Sequence, residues 1–88
     1  VVFEDVILRG AVQSLTKKGR EDIEERRIKL YTIYENKPRQ IYIDLSEENY
    51  RIACDAHRDG LEVEVSGILD KSGRTWYLTE VQNFYITG

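Results

Sequence analysis

The chain has 88 residues, enough for one small domain near the size limit at which a core forms without disulfide or metal staples. Its 13 Lys and Arg residues against 16 Asp and Glu residues give a net charge of −3, which argues against a general nucleic-acid coat protein, since such proteins bind by neutralising phosphates. One cysteine excludes an internal disulfide framework, and the sequence contains neither an apolar run of roughly 18 residues nor a leader-like segment, so we expect a single soluble, cytoplasmic domain over 1–88.

The N-terminal part of the chain predicts a strand followed by a loop. Apolar residues of one parity predict the first strand from about Val6 to Leu15, and Gly10 inside it is typical of a bulge or bend. The segment Thr16–Glu24 is mostly polar and carries a glycine near its middle. We therefore expect a mobile loop there.

The second strand is predicted from about Glu25 to Tyr34, with a register slip near its end where the alternation blurs. Its alternation buries Ile28 and Leu30 and sends Arg27, Lys29 and Tyr31 outward. Residues 35–38 (ENKP) predict the turn that follows, because proline cannot donate to a ladder and is a good strand stop.

The third strand has the clearest alternation, with Ile41 and Ile43 inward and Tyr42 outward. Ser46 then predicts the start of a helix that its hydroxyl caps, and Gly60 is the usual left-handed stop. The sequence thus predicts a helix between the third and fourth strands.

The C-terminal part predicts two more strands joined by a tight turn. The fourth strand starts at Leu61 and exposes Glu62 and Glu64, and the turn spans 70–73. The fifth strand covers 74–86 with a break near Gln82 and Asn83. Five strands with one helix between the third and fourth are the element order of the OB-fold. We therefore predict a mainly β, five-stranded Greek-key OB-like barrel (β-β-β-α-β-β).

The stretch from Asp44 to Phe84, with LSEENYRIACDAHRDGLEVEVSGIL and RTWYLTEVQNF, resembles a group of small bacterial OB-like domains in otherwise uncharacterised proteins. The resemblance covers roughly half of the chain and implies a fold but no biochemical role. The chain starts at Val1 and has no methionine, which fits either a fragment of a longer protein or the loss of a processed start.

OB-folds that bind single-stranded nucleic acid use strands 2 and 3 with the loops joining strands 1–2 and 4–5, here 16–24 and 70–74. Residues 16–40 hold eight basic and five acidic residues, whereas residues 41–70 hold two basic and eight acidic ones. Exposed aromatic rings flanked by cations are what stacking on bases requires. The candidate contacts with single-stranded DNA or RNA are Lys17, Lys18, Arg27, Lys29, Tyr31, Arg39, Tyr42, Lys71 and Arg74.

Two other interpretations stay open. The acidic residues among these cations also fit an ordinary solvated face, and a protein-interaction or accessory domain could use an edge strand to recruit a partner, including other domains of a parent protein. Cys54 and His57 lie at i, i+3 on the helix but supply only two ligands, so we expect no metal. No nucleophile or paired-carboxylate constellation is evident, so we expect no catalysis and no cofactor.

Overall fold

The computed structural model describes residues 2–20 and 23–88, with the side chains of residues 18, 20, 23 and 24 left out of that description. The expected mainly β class with a helix between the third and fourth strands is confirmed. The elements in chain order are β1 (Phe3–Arg20), β2 (Ile23–Tyr34), β3 (Lys37–Asp44), α1 (Glu47–Asp59), β4 (Glu62–Asp70) and β5 (Trp76–Ile86).

The strands pair in the order β1-β2-β3-β5-β4, and β4 returns to β1, so the sheet closes on itself. Strand β1 makes this possible because residues 3–11 pair with β4 while residues 10–20 pair with β2. All ladders are antiparallel except β3–β5, a short parallel contact in which Tyr42 lies opposite Tyr77. The parallel pair brings together segments that are far apart in sequence.

Gly10 lies where β1 belongs to both ladders, opposite Thr32 on one side and Val63 on the other. A Cβ atom at this position would lie 2.1 Å from the carbonyl oxygen of Tyr31, far inside van der Waals contact. Glycine is therefore required here by the close approach of two backbones rather than by a bulge. The shift in the β1–β2 register comes later, between Val12 and Ser14.

The core fills the inside of the closed sheet with aliphatic side chains that alternate along each strand. Ile41 and Ile43 are fully buried, whereas Tyr42 between them faces outward, as the alternation predicts. Burying such side chains contributes about 1.5–3 kcal/mol each to folding. The outward position of Tyr42 is what makes it available to a ligand.

Helix α1 covers one end of the closed sheet, and both of its predicted ends are confirmed. The Ser46 hydroxyl accepts a hydrogen bond from the Asn49 backbone N–H at 3.2 Å, and Gly60 ends the helix at φ +67°. On the inner face Ala53 and Ala56 are fully buried. These small side chains let the helix pack close to the strands.

Three local predictions are wrong. The segment 16–24 is no loop where it is described, because β1 and β2 continue their ladder from Thr16 opposite Arg27 to Arg20 opposite Ile23. Pro38 does not precede the strand but lies within β3 opposite Ile33, and β2 runs into the turn without a register slip.

Within the part of the chain that the structure describes, no helix has the length and apolar character that a membrane crossing requires.

Candidate nucleic-acid interface

The outer face of β2, β3 and β5 brings cations and aromatic rings together. In the β2–β3 ladder Lys29 lies opposite Tyr42 and Arg27 lies opposite Asp44, and in the β3–β5 ladder Tyr42 lies opposite Tyr77. All five side chains point away from the core because strand residues of one parity share a face. We call Arg27, Lys29, Tyr42, Asp44 and Tyr77 the cation-ring face.

Each cation on this face lies over a ring. The Lys29 Nζ is 5.3 Å from the centre of the Tyr42 ring, and the Arg27 guanidinium carbon is 5.5 Å from the centre of the Tyr77 ring. The two rings are 5.9 Å apart with a tilt of 34° between their planes. These distances lie within the range of cation–π and aromatic attraction, which is worth about 0.5–1 kcal/mol at an exposed site.

Arg27 is further held by its cross-strand carboxylate. Its Nε donates to Asp44 Oδ1 at 2.8 Å and its second terminal nitrogen donates to Oδ2 at 3.3 Å. The hydrogen bond to Asp44, with its negative charge, raises the pKa of the Arg27 guanidinium. This fork fixes the guanidinium above the Tyr77 ring, while Asp44 offsets part of the positive charge that a phosphate would meet.

A groove of about 490 Å³ continues this surface towards the end of the closed sheet that α1 does not cover. The Arg39 guanidinium carbon stacks 4.2 Å from the centre of the Trp76 ring, the shortest cation–ring distance described. Tyr31, on the same parity as Lys29 but two residues further along β2, forms one wall. We call this the rim groove, lined by Tyr31, Pro38, Arg39, Gln40, Arg74 and Trp76.

Lys71 lies behind the rim groove in a polar cluster with Glu4 and Tyr34. Its Nζ donates to Glu4 Oε2 at 3.1 Å and to the Tyr34 hydroxyl at 3.3 Å, the Tyr34 hydroxyl donates to Glu4, and the Lys71 side chain is only 17% exposed. The hydrogen bonds from Tyr34 and Lys71 lower the pKa of Glu4, and the bond to Glu4 raises that of Lys71.

This cluster supports the ring of Trp76 rather than presenting a free ammonium group. Tyr34 meets Trp76 edge-on, with ring centres 5.7 Å apart and planes at 86°, and the Lys71 Nζ lies 5.8 Å from the Trp76 ring centre. The Lys71 backbone N–H also donates to the Val2 carbonyl at 2.8 Å. Lys71 therefore positions Trp76 from behind and joins the connection between β4 and β5 to the start of β1.

The structure separates the predicted contacts into groups. Arg27, Lys29 and Tyr42 lie together on the cation-ring face, and Tyr31, Arg39 and Arg74 lie together in the rim groove. Lys17 is exposed on the extension of the β1–β2 ladder, opposite Arg26. The side chain of Lys18 lies outside the described residues.

Tyr77 lies on the cation-ring face, and Trp76, opposite the inward-facing Ile41, lines the rim groove. Sequence reasoning assigns both residues only to the fifth strand. The strand order of the predicted fold already indicates where these two residues lie. In the Greek-key order the fifth strand lies beside the third, which places the sequence TWYL against QIYID. Alternation along one strand shows which residues point outward, but only strand order shows which of them become neighbours.

Of the Cys54 and His57 pair, His57 contacts the backbone of β1. His57 Nδ1 lies 2.8 Å from the Val12 carbonyl oxygen, next to the β1 register shift between Val12 and Ser14. Across residues 2–20 and 23–88 no three His, Cys, Asp or Glu side chains gather closely enough to hold a metal ion.

The chain matches no protein-family model, no curated protein and no solved structure.

Proposed function

We propose that this domain is an OB-type Greek-key barrel and acts as a non-catalytic module that binds single-stranded DNA or RNA. Two features support the fold assignment: the closed order β1-β2-β3-β5-β4 and the helix that covers the end of the closed sheet between β3 and β4. Fold alone does not carry a function, so the functional proposal rests on the surface itself.

The observation that carries the proposal is the set of three aromatic rings on β3 and β5, those of Tyr42, Tyr77 and Trp76, each with a cation over it. Bases stack on rings of this kind at about 1–3 kcal/mol per base, and the gain depends little on base identity. Tyr42 with Tyr77 offers one stacking position, and Trp76 with Tyr31 offers a second. A strand lying across both would follow the direction from the cation-ring face to the rim groove.

The local charge of this surface favours phosphate even though the whole chain is acidic. Arg27, Lys29, Arg39 and Arg74 contribute four positive charges, against the carboxylates of Asp44 and of Glu25, both of which raise the pKa of the Arg27 guanidinium. The acidic residues found between positions 47 and 64 belong to α1 and to the start of β4. Because charges further apart than about 8–10 Å are largely screened at physiological salt, local balance decides phosphate binding.

Binding can be tested at the surface itself, because Trp76 is the sole tryptophan of the chain. A labelled single-stranded oligonucleotide of about 16 nucleotides, the upper site size of one OB-fold, is titrated at low salt. We expect its fluorescence anisotropy to rise and the Trp76 emission to be quenched at the same concentrations. Both signals should be much weaker with a duplex, whose bases are already stacked.

The matched variants for this titration are Arg74→Ala and Arg51→Ala. Each removes one exposed arginine, but Arg74 lines the rim groove whereas Arg51 lies on α1, paired with Glu47. We expect weaker binding only for Arg74→Ala. If neither DNA nor RNA changes the anisotropy or the Trp76 emission, this function is ruled out.

A protein-contact role is the second candidate, and a separate observation favours it. The first part of β1 carries two apolar side chains in water: Ile7 is 73% exposed and Phe3 is 59% exposed. Where such side chains form a contiguous exposed apolar patch, they mark a contact surface for another protein chain.

A further inference from the structure

The first part of β1 is the open edge of the closed sheet. Residues 3–11 pair with β4 on one side, but the β1–β2 ladder on the other side starts only at Gly10. Across the described residues, therefore, residues 3–9 have a ladder partner on one side only. Such an edge presents backbone N–H and C=O groups that can pair with another strand.

The direction of these backbone groups follows from two hydrogen bonds. The Val2 carbonyl accepts from Lys71 N–H on the β4 side, whereas the Arg9 carbonyl accepts from the Thr32 hydroxyl on the β2 side. Successive carbonyls of a strand point in opposite directions in the plane of the sheet. The odd-numbered residues Asp5 and Ile7 therefore direct their N–H and C=O groups towards the open edge.

The charges along this edge are arranged symmetrically about Ile7. Asp5 precedes it by two residues and Arg9 follows it by two, and all three side chains are exposed on the outer face. Within the described ranges, neither Asp5 nor Arg9 forms an ion pair. A strand with this pattern is complementary to an antiparallel copy of itself.

Among the antiparallel registers compared below, only one places opposite charges across from each other. Pairing centred on Ile7 places Asp5 opposite Arg9 of the second copy and Arg9 opposite its Asp5. Centring on Asp5 would instead place the two Asp5 carboxylates against each other, and centring on Val6 would place Asp5 opposite Ile7. Opposite charges across an antiparallel pair stabilise it by about 0.2–1 kcal/mol, whereas like charges destabilise it.

We propose that two copies of this chain pair through the open edge of β1, antiparallel and centred on Ile7. The two β1 strands then join the β5-β4-β1 segments of both copies into one six-stranded sheet. Ile7 contacts its counterpart on the two-fold axis, flanked by two symmetric Asp5–Arg9 pairs. An isologous contact of this kind closes at two copies and does not propagate.

The contact is short, so we expect a weak and reversible dimer. About five residues of each copy meet. They bury less surface area than the roughly 800 Å² per partner that a standard stable interface buries. Sedimentation velocity is the direct measurement, over concentrations from about 5 µM to about 500 µM, the range in which weak interfaces dissociate. The proposal expects the sedimentation coefficient to rise from the monomer to the dimer value across this range.

Charge reversal tests the register. Asp5→Arg places two arginines opposite each other at each flanking pair, and Arg9→Glu places two carboxylates there, so each variant alone should dimerise at least about tenfold more weakly. A mixture of the two variants restores both opposite-charge pairs and should dimerise like the wild type. Tyr42→Ala, which lies on the other surface, should dimerise like the wild type.

A cysteine at the two-fold position gives an independent readout. In a Cys54→Ala background, Ile7→Cys brings two thiols together in a hydrogen-bonded pair about 5.5 Å apart between Cα atoms, a disulfide-forming distance. Mild oxidation should cross-link Ile7→Cys much faster than Phe3→Cys, because Phe3 lies beyond the paired segment 5–9, opposite residue 11 of the second copy, where the edge of β1 is already covered by β2.

Three outcomes overturn the proposal: a wild type that stays monomeric over the whole range, charge-reversed variants that dimerise as well as the wild type, or a mixture of variants that stays monomeric. Equal cross-linking at positions 3 and 7 would contradict the register centred on Ile7. None of these outcomes bears on binding of nucleic acid at β2, β3 and β5.

Discussion

At the scale of single residues, Tyr42 is the side chain on which the proposed function depends most. It lies in the middle of the cation-ring face. Lys29 lies over the Tyr42 ring, and the Tyr77 ring lies beside the Tyr42 ring. Its neighbours along the strand, Ile41 and Ile43, hold the backbone in place because both are fully buried. A base stacked on Tyr42 would therefore meet a ring that is already oriented.

We predict that Tyr42→Ala weakens binding of a single-stranded oligonucleotide by about 1–3 kcal/mol, the value of one lost stacking contact. Tyr85→Ala is the matched control, because Tyr85 is also an exposed strand tyrosine but lies opposite Glu64 in the β4–β5 ladder, away from this face. Affinities from anisotropy, with unfolding curves to show that both variants fold, provide the comparison. Equal losses for the two variants would contradict stacking at Tyr42.

Glu4 predicts an acid dependence of stability. Hydrogen bonds from Tyr34 and Lys71 lower its pKa below the ordinary 4.5, so the folded state favours the ionised carboxylate. A carboxylate with a lowered pKa contributes stability that is present above its unfolded pKa and is lost as the pH falls through its folded pKa.

We therefore expect Glu4→Gln to be less stable than the wild type at pH 7, with the difference shrinking as the pH falls below about 4.5. Denaturant unfolding at several pH values measures this difference directly. Glu62→Gln is the control, since Glu62 is an exposed carboxylate on β4 without an ion pair among the described residues. A difference that stays constant from pH 7 to pH 3 would show that the ionised carboxylate of Glu4 contributes nothing to stability.

At the scale of elements, the sequence predicted best what short-range chemistry determines. The alternation of β3 assigned Ile41, Tyr42 and Ile43 to their correct faces, and Ser46 and Gly60 marked both ends of α1, because capping depends on one side chain or one backbone angle. Ladder pairing between distant residues was harder to predict. Residues 16–20 look like a loop in isolation and become strand only because 23–27 pair with them.

The turn between β2 and β3 shows the same limit. It uses two residues, Glu35 and Asn36, with φ of 50° and 65°, which is the geometry of a two-residue hairpin turn. Asparagine tolerates this conformation and glutamate does not prefer it, so the residues alone suggested a longer turn ending at the proline. The tight turn lets β3 begin two residues earlier and places Arg39 on the ring of Trp76.

Element packing gives a stability test of the inward and outward assignment. Ile43→Ala should lower the free energy of unfolding by about 2–5 kcal/mol, because it leaves a cavity in a fully buried site. Glu62→Ala, at an exposed position, should change it by less than about 0.5 kcal/mol. Chemical denaturation measures both, and similar losses would contradict the assigned faces of β3 and β4.

At the scale of the whole molecule, closure of the sheet separates two surfaces that differ in chemistry. The outer face of β2, β3 and β5 carries cations over rings, whereas the first part of β1 carries the symmetric Asp5-Ile7-Arg9 pattern on an open edge. Strand order could be predicted from the element order, and with it the neighbours of Tyr42. The open edge could not, because it depends on where β1 leaves one ladder and enters the next at Gly10.

The charge distribution of the whole chain leads to a last prediction, on salt. The proposed surface carries four cations, but Asp44 already occupies Arg27, so Lys29, Arg39 and Arg74 remain to neutralise phosphates. Each neutralised phosphate of a single strand contributes about −0.7 to the slope of log K against log salt, so we expect a slope of roughly −2. Arg74→Ala should reduce its magnitude by about 0.7, whereas Arg51→Ala on α1 should leave it unchanged. Anisotropy titrations at four or more salt concentrations give these slopes. A slope near zero, or one that responds equally to both variants, would mean that the acidic chain meets the oligonucleotide somewhere other than the cation-ring face and the rim groove.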